Sequence, residues 1–170
     1  MKDRPNMLIL AECCANHYIA KRMLDMLNEV FSFKAKLRHN FRQGRDRILS
    51  NIERIIKESE NYRIFAVIDF EKGEVARKYI NAYFILHKID DRILLGVSKK
   101  YSNKVTAIIF DPNIEEAFLC PILREICSDR SKFDLVKSSK CEDYLSKVID
   151  RNSLFQEKLQ KIVNELITRI

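Results

Sequence analysis

Apolar residues recur along the chain with two periods, and the switching between them predicts the elements. Met7–Cys13 (MLILAEC) is an apolar run broken only by Glu12, the pattern of a strand covered on both faces. Ile19, Met23, Leu27 and Val30 then repeat at helical spacing and predict a helix over 15–30. Phe31–Arg38 alternates strictly. Phe33, Ala35 and Leu37 fall on one side and Lys34, Lys36 and Arg38 on the other, as in a half-exposed strand near a sheet edge. A polar loop, His39–Gly44, leads to a helix over 45–59 with Ile48, Ile52 and Ile55 on one stripe. Arg63–Asp69 (RIFAVID) reads as another buried strand, ending in an acid.

The spacing next predicts a helix over 74–88, with Val75, Tyr79, Ile80, Tyr83 and Phe84 on its inner side. Ile93–Val97 and Val105–Phe110 follow as strands, the second stopped by Asp111-Pro112-Asn113, which also caps a helix. That helix runs from Ile114 to about Cys127, and Pro121 within it predicts a kink or break. After Asp129 the strand signal fades. Helices are predicted at 140–150 and 152–169, the last with Phe155, Leu159, Ile162, Leu166 and Ile170 on one stripe.

The order β-α-β-α-β-α-β-β-α-α-α predicts an α/β fold. The expectation is a mainly parallel sheet of four or five strands, with helices on both faces and further helices at the C-terminus. Residues 1–128 are read as the α/β domain and 129–170 as a helical extension packed on it. In such sheets ligands bind beyond the carboxyl ends of the strands.

Composition narrows the class. With 46% hydrophobic and 32% charged residues, the chain has a core to bury and is not a disordered type. No apolar run reaches the roughly 18 residues that cross a bilayer, and Glu12 breaks the first run too early for a signal peptide. A cytoplasmic protein with no membrane partner is expected. The five cysteines (Cys13, Cys14, Cys120, Cys127 and Cys141) are odd in number and hold no C-x-x-C pair. They read as small apolar residues in a reducing compartment rather than as a disulfide framework or a metal site. A net charge of +7 and a pI near 9.2 favour an acidic partner such as nucleic acid.

Two acids close the buried strands: Glu12 the first, and Asp69 the third, with Glu71 two residues further on in DFEKG. If those strands are neighbours, the carboxylates converge, and oxygen ligands of this kind suit Mg²⁺ or Mn²⁺. Such an ion supports phosphodiester chemistry. Asp69 also suits a plain helix N-cap. Glu12 is harder to explain away, because an unpaired buried charge is costly. His17, His39 and His87 lack the spacing of a zinc site, and Glu12 beside Cys13 and Cys14 disfavours a thiolate nucleophile.

Glu12 at the end of the first strand, with Asp69-Phe70-Glu71 at the end of a later one, resembles the topoisomerase–primase (TOPRIM) fold. That family carries a Glu and then an Asp-x-Asp motif at these places; Glu71 stands where the family usually has Asp. The stretch Phe110–Leu119 (FDPNIEEAFL) is similar to N-P-x-x-E-x-W-L-L and I-E-D-L-L stretches of the overcoming-lysogenization-defect and RloB-like groups. Glu115 is the favoured match there, with Glu116 the alternative. The motifs span residues 7–119, so the resemblance covers a TOPRIM-like domain over 1–128. It implies magnesium-dependent, nuclease-like hydrolase chemistry on DNA or RNA, with Glu12, Asp69 and Glu71 holding the metal and Glu115 assisting. It also implies a separate ATPase or other protein as a partner of some members.

The basic stretch Lys34, Lys36, Arg38, Arg42, Arg45 and Arg47 contains one acid, Asp46, and could hold phosphates beside the metal. A solvated charged face explains the same pattern. Two further readings stand beside the nuclease. One is a non-catalytic nucleic-acid-binding or regulatory module of the same fold. The other is an interaction subunit that forms a homodimer through its C-terminal helix.

Overall fold

The computed structural model describes residues 6–30, 34–39, 45–58 and 62–169. The first part of the chain alternates strand and helix: β1 (Asn6–Ala11), α1 (Cys14–Val30), β2 (Lys34–His39), α2 (Arg45–Glu58), β3 (Tyr62–Asp69) and α3 (Glu74–Tyr83). Three strands follow in succession: β4 (Phe84–Asp90), β5 (Ile93–Ser98) and β6 (Val105–Phe110). The remainder is helical. A π-helical turn (Glu115–Leu119) leads into α4 (Cys120–Ile122), α5 (Glu125–Ser128), α6 (Arg130–Lys137), α7 (Cys141–Val148) and α8 (Ser153–Ile167).

The strands form one six-stranded mixed sheet in the order β2-β1-β3-β6-β5-β4. β2, β1, β3 and β6 run parallel, whereas β5 and β4 are antiparallel to their neighbours. The sheet therefore has more strands than the four or five expected, and the extra one is β4. The helix expected over 74–88 stops at Tyr83. Phe84–Asp90 instead pairs with β5 through a tight turn at Asp91-Arg92. The expected inner face is corrected too: Val75 is 83% exposed and Tyr79 43%, and only Ile80 of α3 is buried. In a segment this short, cross-strand pairing outweighs helical spacing.

Alternate residues of the central strands enter two separate cores. Met7, Ile9, Phe65, Val67, Ile108 and Phe110 join α1 and the C-terminal helices in the larger one. Leu8, Leu10, Ile64, Ala66, Ile68 and Ile109 join Ile48, Leu49, Ile52 and Ile55 of α2 and Ile80 of α3 in the other. The predicted stripe of α8 lies in the larger core through Phe155, Leu159, Ile162, Val163 and Leu166. Phe118 bridges it to the sheet, with its ring edge-on to Phe110 and to Phe155 at 5.8 Å each. Contacts of this kind contribute about 1 kcal/mol apiece beyond the area they bury.

The helix after β6 breaks near the proline, as its position implies. Asn113 accepts from the Glu116 amide at 2.9 Å, and the chain leaves helical geometry at Leu123, two residues past Pro121. That break has a second consequence. The cysteines are not all free: Cys120 is bonded to Cys127, Cys14 is bonded to Cys141, and Cys13 alone is a thiol. On an unbroken helix, residues seven apart lie roughly 10 Å apart along the axis, beyond disulfide reach. The break brings the Cα atoms of Cys120 and Cys127 to 5.7 Å. Helix α6 had no counterpart among the expected elements. It is capped by Asp129, whose carboxylate accepts from the Ser131 amide at 2.9 Å. Among the described residues no helix is long and apolar enough to cross a membrane.

Candidate metal site at the carboxyl edge of the sheet

β1 lies beside β3 and parallel to it, with Ala11 opposite Val67, so both strands end at the same edge. Glu12 extends the ladder, its amide donating to the Val67 carbonyl at 3.1 Å. Its carboxylate turns back to accept from the Asp69 amide at 2.8 Å. The two acids that close the buried strands are therefore locked together through one backbone hydrogen bond.

Asp69 is 6% exposed. Its Oδ1 accepts from the Ile114 amide at 3.0 Å and from the Asn16 side chain at 3.3 Å. Glu71 is exposed, and its backbone takes a left-handed φ of 71°. Such a conformation costs roughly 1–2 kcal/mol in a residue with a side chain. The turn is held by the Phe70 amide on the Phe110 carbonyl at 2.8 Å and the Glu71 amide on the Pro112 carbonyl at 2.7 Å. Arg77 braces it further, stacked 4.5 Å over the Phe70 ring and paired with Asp111.

One carboxylate oxygen from each of Glu12, Asp69 and Glu71 lies within 4.8 Å of the others, so the three could hold a metal ion. Their electrostatics fit that role. Burial, and then the charges of Glu12 and Glu115, push Asp69 up to about 8. Burial also raises Glu12, against the hydrogen bond from the Asp69 amide. A donor set made only of carboxylate oxygens suits a hard divalent cation.

Glu115 and Glu116 separate cleanly. Glu115 is 1% exposed, close enough to raise Asp69, and ion-paired to Lys137 at 2.7 Å. Its Oε2 has no hydrogen-bond partner among the described residues. Burial lowers Lys137, but the hydrogen bond and charge of Glu115 outweigh it and leave the ammonium raised. Glu116 lies outward, between Lys72 at 2.9 Å and Arg92 at 3.9 Å.

The expected basic residues divide three ways. Lys34, Lys36 and Arg38 lie on β2, which ends beside β1 with His39 opposite Ala11. Arg42 lies outside the described residues. Arg45 and Arg47 open α2 and line a cleft of about 520 Å³ together with Glu12 and Glu71. Arg45 is 9% exposed, and its guanidinium donates to the Phe70 carbonyl at 3.2 Å and to Asp46 at 2.9 Å. Arg47 is exposed at the rim.

Two residues of the site escaped sequence reasoning. Asn16 is fully buried, and it continues the α1 stripe of Ile19, Met23 and Leu27 backwards by one step. A polar residue on an apolar stripe was a signal. Lys137 offered none. Of the other groups considered, Cys13 is disfavoured as a thiolate by its surroundings, and His17 is held towards the neutral imidazole. Burial, then the Asp69 charge, pushes the Cys13 thiol up to about 12, and burial lowers His17. Compared with known protein families, curated proteins and solved structures, the chain matches none.

Proposed function

We propose that this chain performs metal-dependent phosphodiester chemistry on DNA or RNA, as a TOPRIM-like α/β domain with helices on both faces of its sheet. The observation that carries the reading is one cleft with both kinds of group such chemistry needs. Glu12 and Glu71 line it together with Arg45 and Arg47, and Asp69 lies beside the two acids. Glu12, Asp69 and Glu71 are the ligands for Mg²⁺ or Mn²⁺. When bound, that ion supplies Lewis-acid polarisation of a phosphate oxygen and a more acidic water. The chain's own residues do the rest. Arg47 holds a backbone phosphate at the rim, and Arg45 fixes the Phe70 carbonyl so that Glu71 stays at the mouth. Asn16 and the Ile114 amide orient the Asp69 carboxyl. Glu115 lies buried close by, its charge balanced by Lys137.

The test is cleavage of labelled single- and double-stranded DNA and RNA with Mg²⁺ or Mn²⁺, with Glu12→Ala and Asp69→Ala as controls. Cleavage by the parent chain that both substitutions abolish supports the reading. Cleavage that survives them, or none at all, sinks it. A second reading, a non-catalytic nucleic-acid-binding module, is favoured by Glu71, which is exposed and takes the place where the resemblance expects Asp. Retained nucleic-acid binding without turnover would single it out.

A further inference from the structure

The disulfide between Cys14 and Cys141 joins parts of the chain 127 residues apart. Cys14 opens α1, two residues after Glu12 and two before Asn16. Cys141 opens α7, and Lys137, the partner of Glu115, ends α6 four residues earlier. The corner between them is compact, with the Cys141 amide on the Ser138 carbonyl at 3.2 Å. Its apolar anchorage comes from few positions, with Ile149 buried just past α7 and Tyr144 and Val148 of α7 packed partly buried against the larger core. Val136 is the only buried side chain of α6, and Cys141 and Leu145 are those of α7. Helices of eight residues have little stability of their own and depend on ties to the rest of the fold. The other described ties between α7 and α1 include Lys21–Glu142 at 2.6 Å, an exposed ion pair worth little. The disulfide ties this corner covalently to α1, beside the site.

We propose that Cys14–Cys141 is a redox latch that holds the α6–α7 corner, and Lys137 with it, against the acidic site. Closing it removes two protons and two electrons from the two thiols, with a low-molecular-weight disulfide as the oxidant and two small thiols as its products. A dithiol reductant reverses the step and leaves as a cyclic disulfide. When the latch opens, the corner loosens and Glu115 loses its counter-charge. This inference does not depend on metal binding or catalysis, and it is tested without metal.

The experiment uses the full chain carrying Cys120→Ser and Cys127→Ser, which leaves one pair and Cys13. After oxidation with glutathione disulfide, one thiol is expected to titrate in denaturant, and peptide mapping is expected to link Cys14 to Cys141. Amide hydrogen exchange is then compared before and after dithiothreitol. Exchange over 130–148 is expected to quicken by about tenfold or more on reduction, while β1 and β3 stay protected. The thermal midpoint is expected to fall by roughly 5–15 °C. A second variant, Cys14→Ala with the other cysteines in place, is expected to exchange quickly over 130–148 in either redox state. Three thiols after oxidation, or unchanged exchange over 130–148 on reduction, would overturn the latch.

Discussion

Replacing Asp69 with asparagine should make the metal-free protein more stable, even though it removes a proposed ligand. Burial and the neighbouring carboxylates push Asp69 from its ordinary 3.8 up to about 8. The folded chain therefore binds this proton more tightly than the unfolded chain does. Between those two values the unfolded state has released the proton while the folded state keeps it, so stability falls as pH rises. At pH 7 the lost stability spans the interval from 3.8 to 7, or about 4 kcal/mol at roughly 1.36 kcal/mol for each pH unit. The substituted amide would not titrate, and its oxygen would still accept from the Ile114 amide and the Asn16 side chain, as Oδ1 does at 3.0 and 3.3 Å. Sharing of the proton with Glu12 and solvent relaxation trim the gain to about 2–4 kcal/mol. For a chain of this length that raises the thermal midpoint by roughly 5–15 °C. Chelator-treated protein is unfolded by heat and by urea at pH 4, 5, 6, 7 and 8. The Asp69→Asn gain should grow with pH and vanish near pH 4. A variant no more stable than the parent at pH 7, or a gain that is the same at every pH, would refute the reasoning.

Three further outcomes follow from the same geometry. Mn²⁺ at about a hundred times its dissociation constant should stabilise the parent chain by about 3 kcal/mol, seen as a raised thermal midpoint that EDTA reverses. Asp69→Asn and Glu12→Gln should each lose most of that response. Lys137→Met should cost about 1–3 kcal/mol in urea unfolding, because it strands the buried Glu115 charge, and adding Glu115→Gln should recover most of the loss. Gly96→Ala should cost about 1–3 kcal/mol, since a Cβ there would meet Ile109 at 2.9 Å and Phe84 at 3.0 Å; an unchanged denaturation midpoint would mean the sheet yields at that point.

Strand and helix identity was legible wherever one apolar period persisted. β1, β3 and β6 showed as unbroken apolar runs because both faces of those strands are covered. α1, α2 and α8 showed as stripes because one face of each is buried. The segment 84–90 misled because Phe84 and Tyr83 also fit a helical stripe continued from Ile80. Its partner β5, supplied by a later stretch of chain, decided between the two structures. Of the site, Glu12 stood out because it breaks an apolar run with a charge that burial alone would not tolerate, whereas Asp69, at the end of its run, suited a plain helix N-cap as well.

What the amino-acid order determined by itself was local: the period of each segment, the residue that ends each strand, and the charge each one carries. These depend on neighbours a few positions away, which a linear pattern records. The rest came from contacts that close over long stretches of chain. Only the sheet order set β1 beside β3 and brought Glu12 to the Asp69 amide across 57 positions. Only the packing of the C-terminal helices set Lys137 on Glu115 and Cys141 on Cys14. Such pairings rest on loop closure and on shared burial, and no local spacing encodes either.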